Sequence, residues 1–250
     1  MTNRKLVDLT PSWAHFPGWT VLFDNPGTSG RVDGDIELLE CPTACSPAQR
    51  LFDQLEQWFL EELSVHLGSL GHAALPRSTY HVTLADGLNL GQLRGLPDQV
   101  AEAVEADFAS SIAAPRAWSE PPYATAVRGL IGDLASPIRF VLHKIDIRGH
   151  AVMAILRPAR PEDESRVTTL AAARDHSLTQ LGDAAGLERS GSWTPHITLG
   201  YLGDIADAPA ARRIIDDSLV FDSATIDFES ASLYRFASMI DFWRQRPSTG

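Results

Sequence analysis

The chain is short of cysteine, of positive charge and of uninterrupted apolar sequence, and each shortage narrows what it can do. Its two cysteines, Cys41 and Cys45, are spaced C-x3-C. A structural zinc site needs more thiolate or imidazole ligands in a recognisable pattern, so these two read as reduced thiols in a loop or turn. Lys and Arg number 21 against 32 Asp and Glu, a formal net charge of −11. That argues against an extended nucleic-acid surface, which needs clustered cations to follow a phosphate backbone, and leaves room for a small anionic substrate in a local pocket. No apolar run reaches the roughly 18–20 residues that span a bilayer, and the opening MTNRKLVDLTPSW has no apolar signal core. The expectation is a cytoplasmic protein that does not engage a membrane.

What is present is enough to build a substantial core. The 250 residues are 44% hydrophobic and 21% charged, ordinary values for a globular chain with one large domain or two lobes sharing a core. WTVLFD (19–24) and IELLECP (36–42) read as strands. SPAQRLFDQLEQWFLEELSVHLG (46–68) reads as a helix, with Ser46 as N-cap, Pro47 in the first turn, and Leu51, Leu55, Phe59 and Leu63 in one apolar stripe. Further helices are predicted over 96–112, 160–186 and 207–219. Strands are predicted over 78–87, 138–149, 150–158, 192–203, 224–236 and 239–245, with a hairpin turn at Arg148-Gly149. The Pro-rich stretch 114–137 reads as a connection. This makes residues 1–250 a single bilobal α+β domain, with a first lobe over 1–113 and a second over 138–250.

One pattern is written twice. STYHVTLADG occupies 78–87 and WTPHITLGYL occupies 193–202, each with His-x-Thr-Leu and each after a predicted helix. Alternate side chains of a strand share a face. That puts His81 with Thr83 and Thr79, and His196 with Thr198, Thr194 and Gly200. Tyr80, Val82 and Leu84 fall opposite in the first copy, and Trp193, Ile197, Leu199 and Tyr201 in the second. Each strand thus has an apolar face for a core and a face carrying imidazole and hydroxyl. If the copies converge on one cleft, one His can take a proton from water while the other, as imidazolium, protonates a leaving oxygen. The threonine hydroxyls can hold the oxygens of a phosphate between them.

At these residues the chain resembles the 2H phosphoesterase superfamily, which includes the 2′-5′ RNA ligase type and the 2′,3′-cyclic nucleotide phosphodiesterases. The signature of that superfamily is two copies of apolar-His-x-Thr/Ser-apolar. YHVTL matches it, and PHITL matches with Pro195 at the usually apolar first position. The resemblance implies a bilobal α+β fold with antiparallel sheets facing a central cleft, and a metal-independent phosphodiesterase with no cofactor. It implies His81 and His196 as acid and base, and Thr83 and Thr198 as phosphate-holding residues. The expected reaction is hydrolysis of a cyclic phosphodiester, foremost a 2′,3′-cyclic phosphate on a nucleotide or RNA end. The alternatives are a 3′,5′-cyclic or 2′-5′-linked substrate, RNA-end ligation, or a module that binds a nucleotide or RNA end without turnover. Arg77 shares strand parity with His81 and is a candidate for the substrate phosphate. Tyr123, Trp118 and Phe16 are candidates to stack on a base. His66 and His72 have no metal-ligand pattern between them. Arg235, Arg244 and Arg246 suggest at most a mildly basic edge.

Overall fold

The computed structural model describes residues 3–8, 12–25, 32–33, 36–38, 50–67, 70–113, 120–187, 192–218 and 225–245. Cys41, Cys45, Ser46, Pro47, Trp118 and Arg246 lie outside the described residues, and with them the expectations placed on them.

Two short strands, β1 (Leu6–Asp8) and β2 (Ser12–Trp13), form a small antiparallel pair. They lead into β3 (Gly18–Phe23), buried along its whole length. Next come β4 (Val32–Asp33) and β5 (Ile36–Leu38). The predicted first helix is observed as α1 (Arg50–Trp58), a π-helical turn over Phe59–Leu63 and α2 (Ser64–Leu67). Its stripe of Leu51, Leu55, Phe59 and Leu63 is fully buried. After β6 (His72–Ala74) and β7 (Thr83–Asn89) come α3 (Asp98–Ala113) and a 3-10 segment over Ala124–Leu130. The long hairpin β8 (Gly132–Arg148) and β9 (Ala151–Pro158) follows, turning at Gly149 with φ +57°. Then come α4 (Pro161–Ala185), β10 (His196–Leu202), α5 (Ala208–Ser218), β11 (Thr225–Ser238) and β12 (Asp241–Gln245).

All the ladders are antiparallel, and strands of the two sequence halves interleave. Along the main path the order is β4-β5-β12-β11-β8-β9-β10-β6, with β3 joining β11 to β7. Strand β11 is the spine. Its N-terminal half pairs with β8, and its C-terminal half runs between β3 and β12. An isolated bridge between Val82 and Ile197 closes the circuit β7-β3-β11-β8-β9-β10. Phe23, Phe228 and Phe140 pack inside it, with Phe23 and Phe228 stacked at 4.8 Å.

Two boundaries differ from the sequence pattern for local reasons. The first motif is not a strand from Ser78. Arg77–Thr79 is a 3-10 turn held by bonds from Thr79 N to Pro76 O (2.9 Å) and Tyr80 N to Arg77 O (3.0 Å), and the strand begins at Thr83. Strand β8 starts six residues earlier than the expected Ile138. Ile138 pairs with Phe228 but Asp133 with Ser230, so the β8 residues between them bulge out of the ladder. Pro137, which has no N–H to offer, sits in that bulge.

Gly200 packs closely against β6 and the first helix. A Cβ there would lie 2.5 Å from the Ala73 carbonyl oxygen and 2.8 Å from Phe59 Cζ, and the carbonyl cannot retreat without opening the ladder that pairs Gly200 with Ala74. Gly200→Ala is expected to cost about 1–3 kcal/mol from overpacking. That is a fall of roughly 2–4 °C in Tm per kcal/mol, measurable by thermal unfolding; an unchanged Tm would show that the ladder yields freely.

Candidate active site

The two motifs meet at the bridge between Val82 and Ile197, both wholly buried. In an antiparallel pair the residues flanking a bridge oppose one another crosswise. His81 therefore lies across from Thr198, and Thr83 across from His196, in an approximate two-fold arrangement. All four line one cavity of about 170 Å³. Trp193, just ahead of the second motif, ties the copies together by donating its Nε1–H to the Thr83 carbonyl at 3.0 Å.

Each imidazole is oriented by its own backbone. His81 Nδ1 is 2.7 Å from the Thr79 carbonyl oxygen, and His196 Nδ1 is 2.8 Å from that of Thr194. A carbonyl oxygen can only accept, so each neutral ring carries its proton on Nδ1 and leaves the Nε2 lone pair for the cleft. The bond spans two residues in both copies, so the tautomer is set by local chain geometry.

The Leu of each motif is a β-bulge. On β7, Ala85 pairs with Val21 and Thr83 with Leu22, which leaves Leu84 as an extra residue. On β10, Thr198 pairs with Met153 and Gly200 with Val152, which leaves Leu199 as an extra residue. The off-ladder carbonyls are still satisfied. Leu84 O accepts from Arg174 Nε at 2.8 Å, and Leu199 O accepts from Leu75 N at 2.8 Å. A bulge shifts side-chain parity by one. The cleft face thus continues from Thr83 to Asp86 and from Thr198 to Tyr201, and both line the cavity. Strict alternation puts Tyr201 on the opposite face, and the bulge at Leu199 overturns that expectation. Asp86 was missed for the same reason, since a bulge is defined by the register with the partner strand and the local sequence carries no signal for it.

Burial dominates the electrostatics of the pair. The His81 ring packs 4.7 Å from Phe242, and desolvation lowers its pKa from 6.5 to about 4. The bond to the Thr79 carbonyl opposes the shift, His196 and Lys5 add to it, and Asp86 opposes it weakly. His196 is also lowered, chiefly by burial. Its bond to Thr194 and the charge of Asp86 oppose that, while Arg148 and Lys5 reinforce it. Both rings are therefore neutral in the free protein near pH 7. Lys5, which the sequence reading did not select, reaches the cleft from just before β1. Its Nζ donates to Tyr201 Oη at 3.0 Å and lies over the Tyr201 and Phe16 rings at 4.7 and 5.6 Å from their centroids.

Other candidates fall elsewhere. Arg77 is ion-paired with Asp53 and near Glu56, and its backbone N–H donates to Glu56 Oε1 at 3.1 Å; it does not line the cavity. Tyr123 precedes the 3-10 segment with φ +68° and is also not a lining residue, whereas Phe16 is. His72 uses both ring nitrogens, on Leu70 O and Ser64 Oγ. Among the described residues no group of three or more His, Cys, Asp or Glu is placed to hold a metal ion. Arg235 is buried against Asp107 at 2.6 Å and Arg244 pairs with Asp24 at 3.1 Å, so these two arginines serve the fold and do not build a basic edge.

The bulge and the half-buried rings give two expectations. Arg174→Met leaves the Leu84 carbonyl unsatisfied at a cost of about 1–3 kcal/mol, and the Tm falls; wild-type stability would mean water replaces the guanidinium. Because the folded-state His pKa values lie below 6.5, the unfolded chain binds more protons once the pH drops below that value. Stability then declines as pH falls toward about 4. Urea unfolding across that window should show a shallower decline for His81→Gln than for wild type; parallel curves would mean His81 is not held neutral.

No protein-family model matches the chain, and no curated protein does. Solved structures do. A conserved protein of unknown function from Agrobacterium tumefaciens is similar with a TM-score of 0.53 at 17% identity, over 97% of this chain and 89% of that one. Kluyveromyces marxianus Usb1 gives 0.43 at 8% identity, over 92% and 98% of the two chains. E. coli LigT complexed with 3′-AMP gives 0.40 at 11% identity, over 88% of each. The chain shares its α+β fold with the Agrobacterium protein, and its two His-x-Thr-Leu motifs carry the resemblance to the 2H phosphoesterase superfamily.

Proposed function

We propose that this protein is a metal-independent phosphodiesterase that hydrolyses a cyclic phosphodiester, with a 2′,3′-cyclic phosphate of a nucleotide or short RNA end as its substrate. The observation that carries the reading is the matched tautomer of His81 and His196, each donating its Nδ1–H to a carbonyl two residues upstream, on side chains lining one cavity. A phosphate between them would accept hydrogen bonds from the Thr83 and Thr198 hydroxyls on its non-bridging oxygens. One neutral imidazole takes a proton from water as the water oxygen bonds to phosphorus. The other, protonated once the substrate anion is in place, gives its proton to the ribose oxygen as the P–O bond of the strained ring breaks. The substrate's negative charge supplies what burial withholds, since it favours the imidazolium form. A net charge of −11 favours a short substrate over a long polyanion.

Hydrolysis of the four 2′,3′-cyclic mononucleotides in EDTA tests this directly. His81→Ala and His196→Ala should each lose about 10²–10⁴-fold in rate. With both pKa values below 6.5, the free-enzyme profile of kcat/KM should peak on the acid side of that value. No turnover of any of the four, or activity that survives in either His variant, would overturn the reading.

A further inference from the structure

We propose that Lys5 binds the substrate phosphate, supplied to the cleft by the N-terminal segment and aimed by Tyr201. The inference rests on the reading of the cleft as a phosphodiester site and adds a residue outside both motifs.

Among the described residues lining the cavity, Lys5 is the one Lys or Arg. Many other arginines are paired with carboxylates: Arg77 with Asp53, Arg139 with Asp227, Arg160 and Arg166 with Asp163, Arg235 with Asp107 and Arg244 with Asp24. Lys5 has no carboxylate partner among the described residues. One of its three ammonium protons goes to Tyr201 Oη, and two aromatic faces hold the charge. That arrangement keeps a half-buried cation without a carboxylate partner among the described residues, as an anion site requires.

The backbone at Lys5 is fixed on both sides. Asn3 Oδ1 accepts from Lys5 N at 3.0 Å while Asn3 Nδ2 donates to Leu202 O at 3.2 Å, and Lys5 O accepts from Ala14 N at 2.9 Å. The ammonium is therefore delivered by a tethered strap. Tyr201 reaches it because of the bulge at Leu199, and donates its own hydroxyl proton toward Met239 Sδ at 3.4 Å. The two-fold likeness of the motifs is broken at this point. Five residues after His196 stands Tyr201 with its lysine, and five after His81 stands Asp86. Continuing the register outward from the bridge puts Tyr201 and Lys5 beyond the His81–Thr198 pair and Asp86 beyond His196–Thr83. An anion in an acidic protein is then drawn to the Lys5 end and repelled from the Asp86 end.

The test compares full-length wild type with Lys5→Met, Lys5→Arg, Tyr201→Phe and Asp86→Asn. The readouts are KM and kcat on 2′,3′-cyclic mononucleotides and Kd for inorganic phosphate by calorimetry, with thermal unfolding in parallel. Loss of a charge-assisted bond in Lys5→Met should raise KM and phosphate Kd about tenfold or more. Lys5→Arg should retain most binding, Tyr201→Phe should fall between, and Asp86→Asn should tighten phosphate. A folded Lys5→Met with wild-type KM and Kd overturns the inference while leaving the phosphodiesterase reading intact. If wild type turns over no cyclic nucleotide, the phosphate titration decides alone. Binding lost in Lys5→Met supports the inference without that activity, and equal or absent binding overturns it. If Lys5→Met unfolds, Lys5→Gln replaces it: weakened phosphate binding supports the inference, and wild-type binding overturns it.

Discussion

The single backbone bridge between Val82 and Ile197 is the constraint on which the rest of this cleft depends. It brings together two segments far apart in the chain, each with an apolar residue turned into the core and a polar residue on either side of it. Because the pairing is antiparallel, the polar residues interleave as His against Thr and Thr against His. The ladders from β7 through β3, β11, β8 and β9 to β10 are a scaffold that closes on this contact. The Trp193 indole bonded to the Thr83 carbonyl holds the copies at fixed offset.

Two balances follow. The first is between burial and protonation. Packing against Phe242 and the cleft walls strips water from the imidazoles and favours the neutral form, while the carbonyls of Thr79 and Thr194 select which nitrogen keeps the proton. A ring with a fixed tautomer and a depressed pKa is ready to accept a proton, and it becomes a donor only when an anion arrives beside it. The second balance is between charge and anion binding. The chain is acidic overall, but most of its buried or half-buried carboxylates are neutralised locally by arginine. Asp163, fully buried at the start of α4, is held by Arg160, Arg166 and the Arg139 backbone N–H. Lys5 and Asp86 both line the cleft, toward opposite ends of it, so the cavity is asymmetric where the motifs themselves are alike.

The sequence by itself determined the helices, most of the strands, the apolar stripe of α1 and, in each motif, a His and a Thr turned to one face. All of these depend on local periodicity or on a repeated short pattern, and such features survive in one dimension. It did not carry the bulges at Leu84 and Leu199, because a bulge is defined by the partner strand. Only the tertiary structure placed Asp86 and Tyr201 on the cleft face, gave Arg77 to Asp53, buried Arg235 against Asp107 and brought Lys5 across to Tyr201. Each of those outcomes depends on which distant backbone or charge lies opposite, and the partner's position is not written in the neighbouring residues.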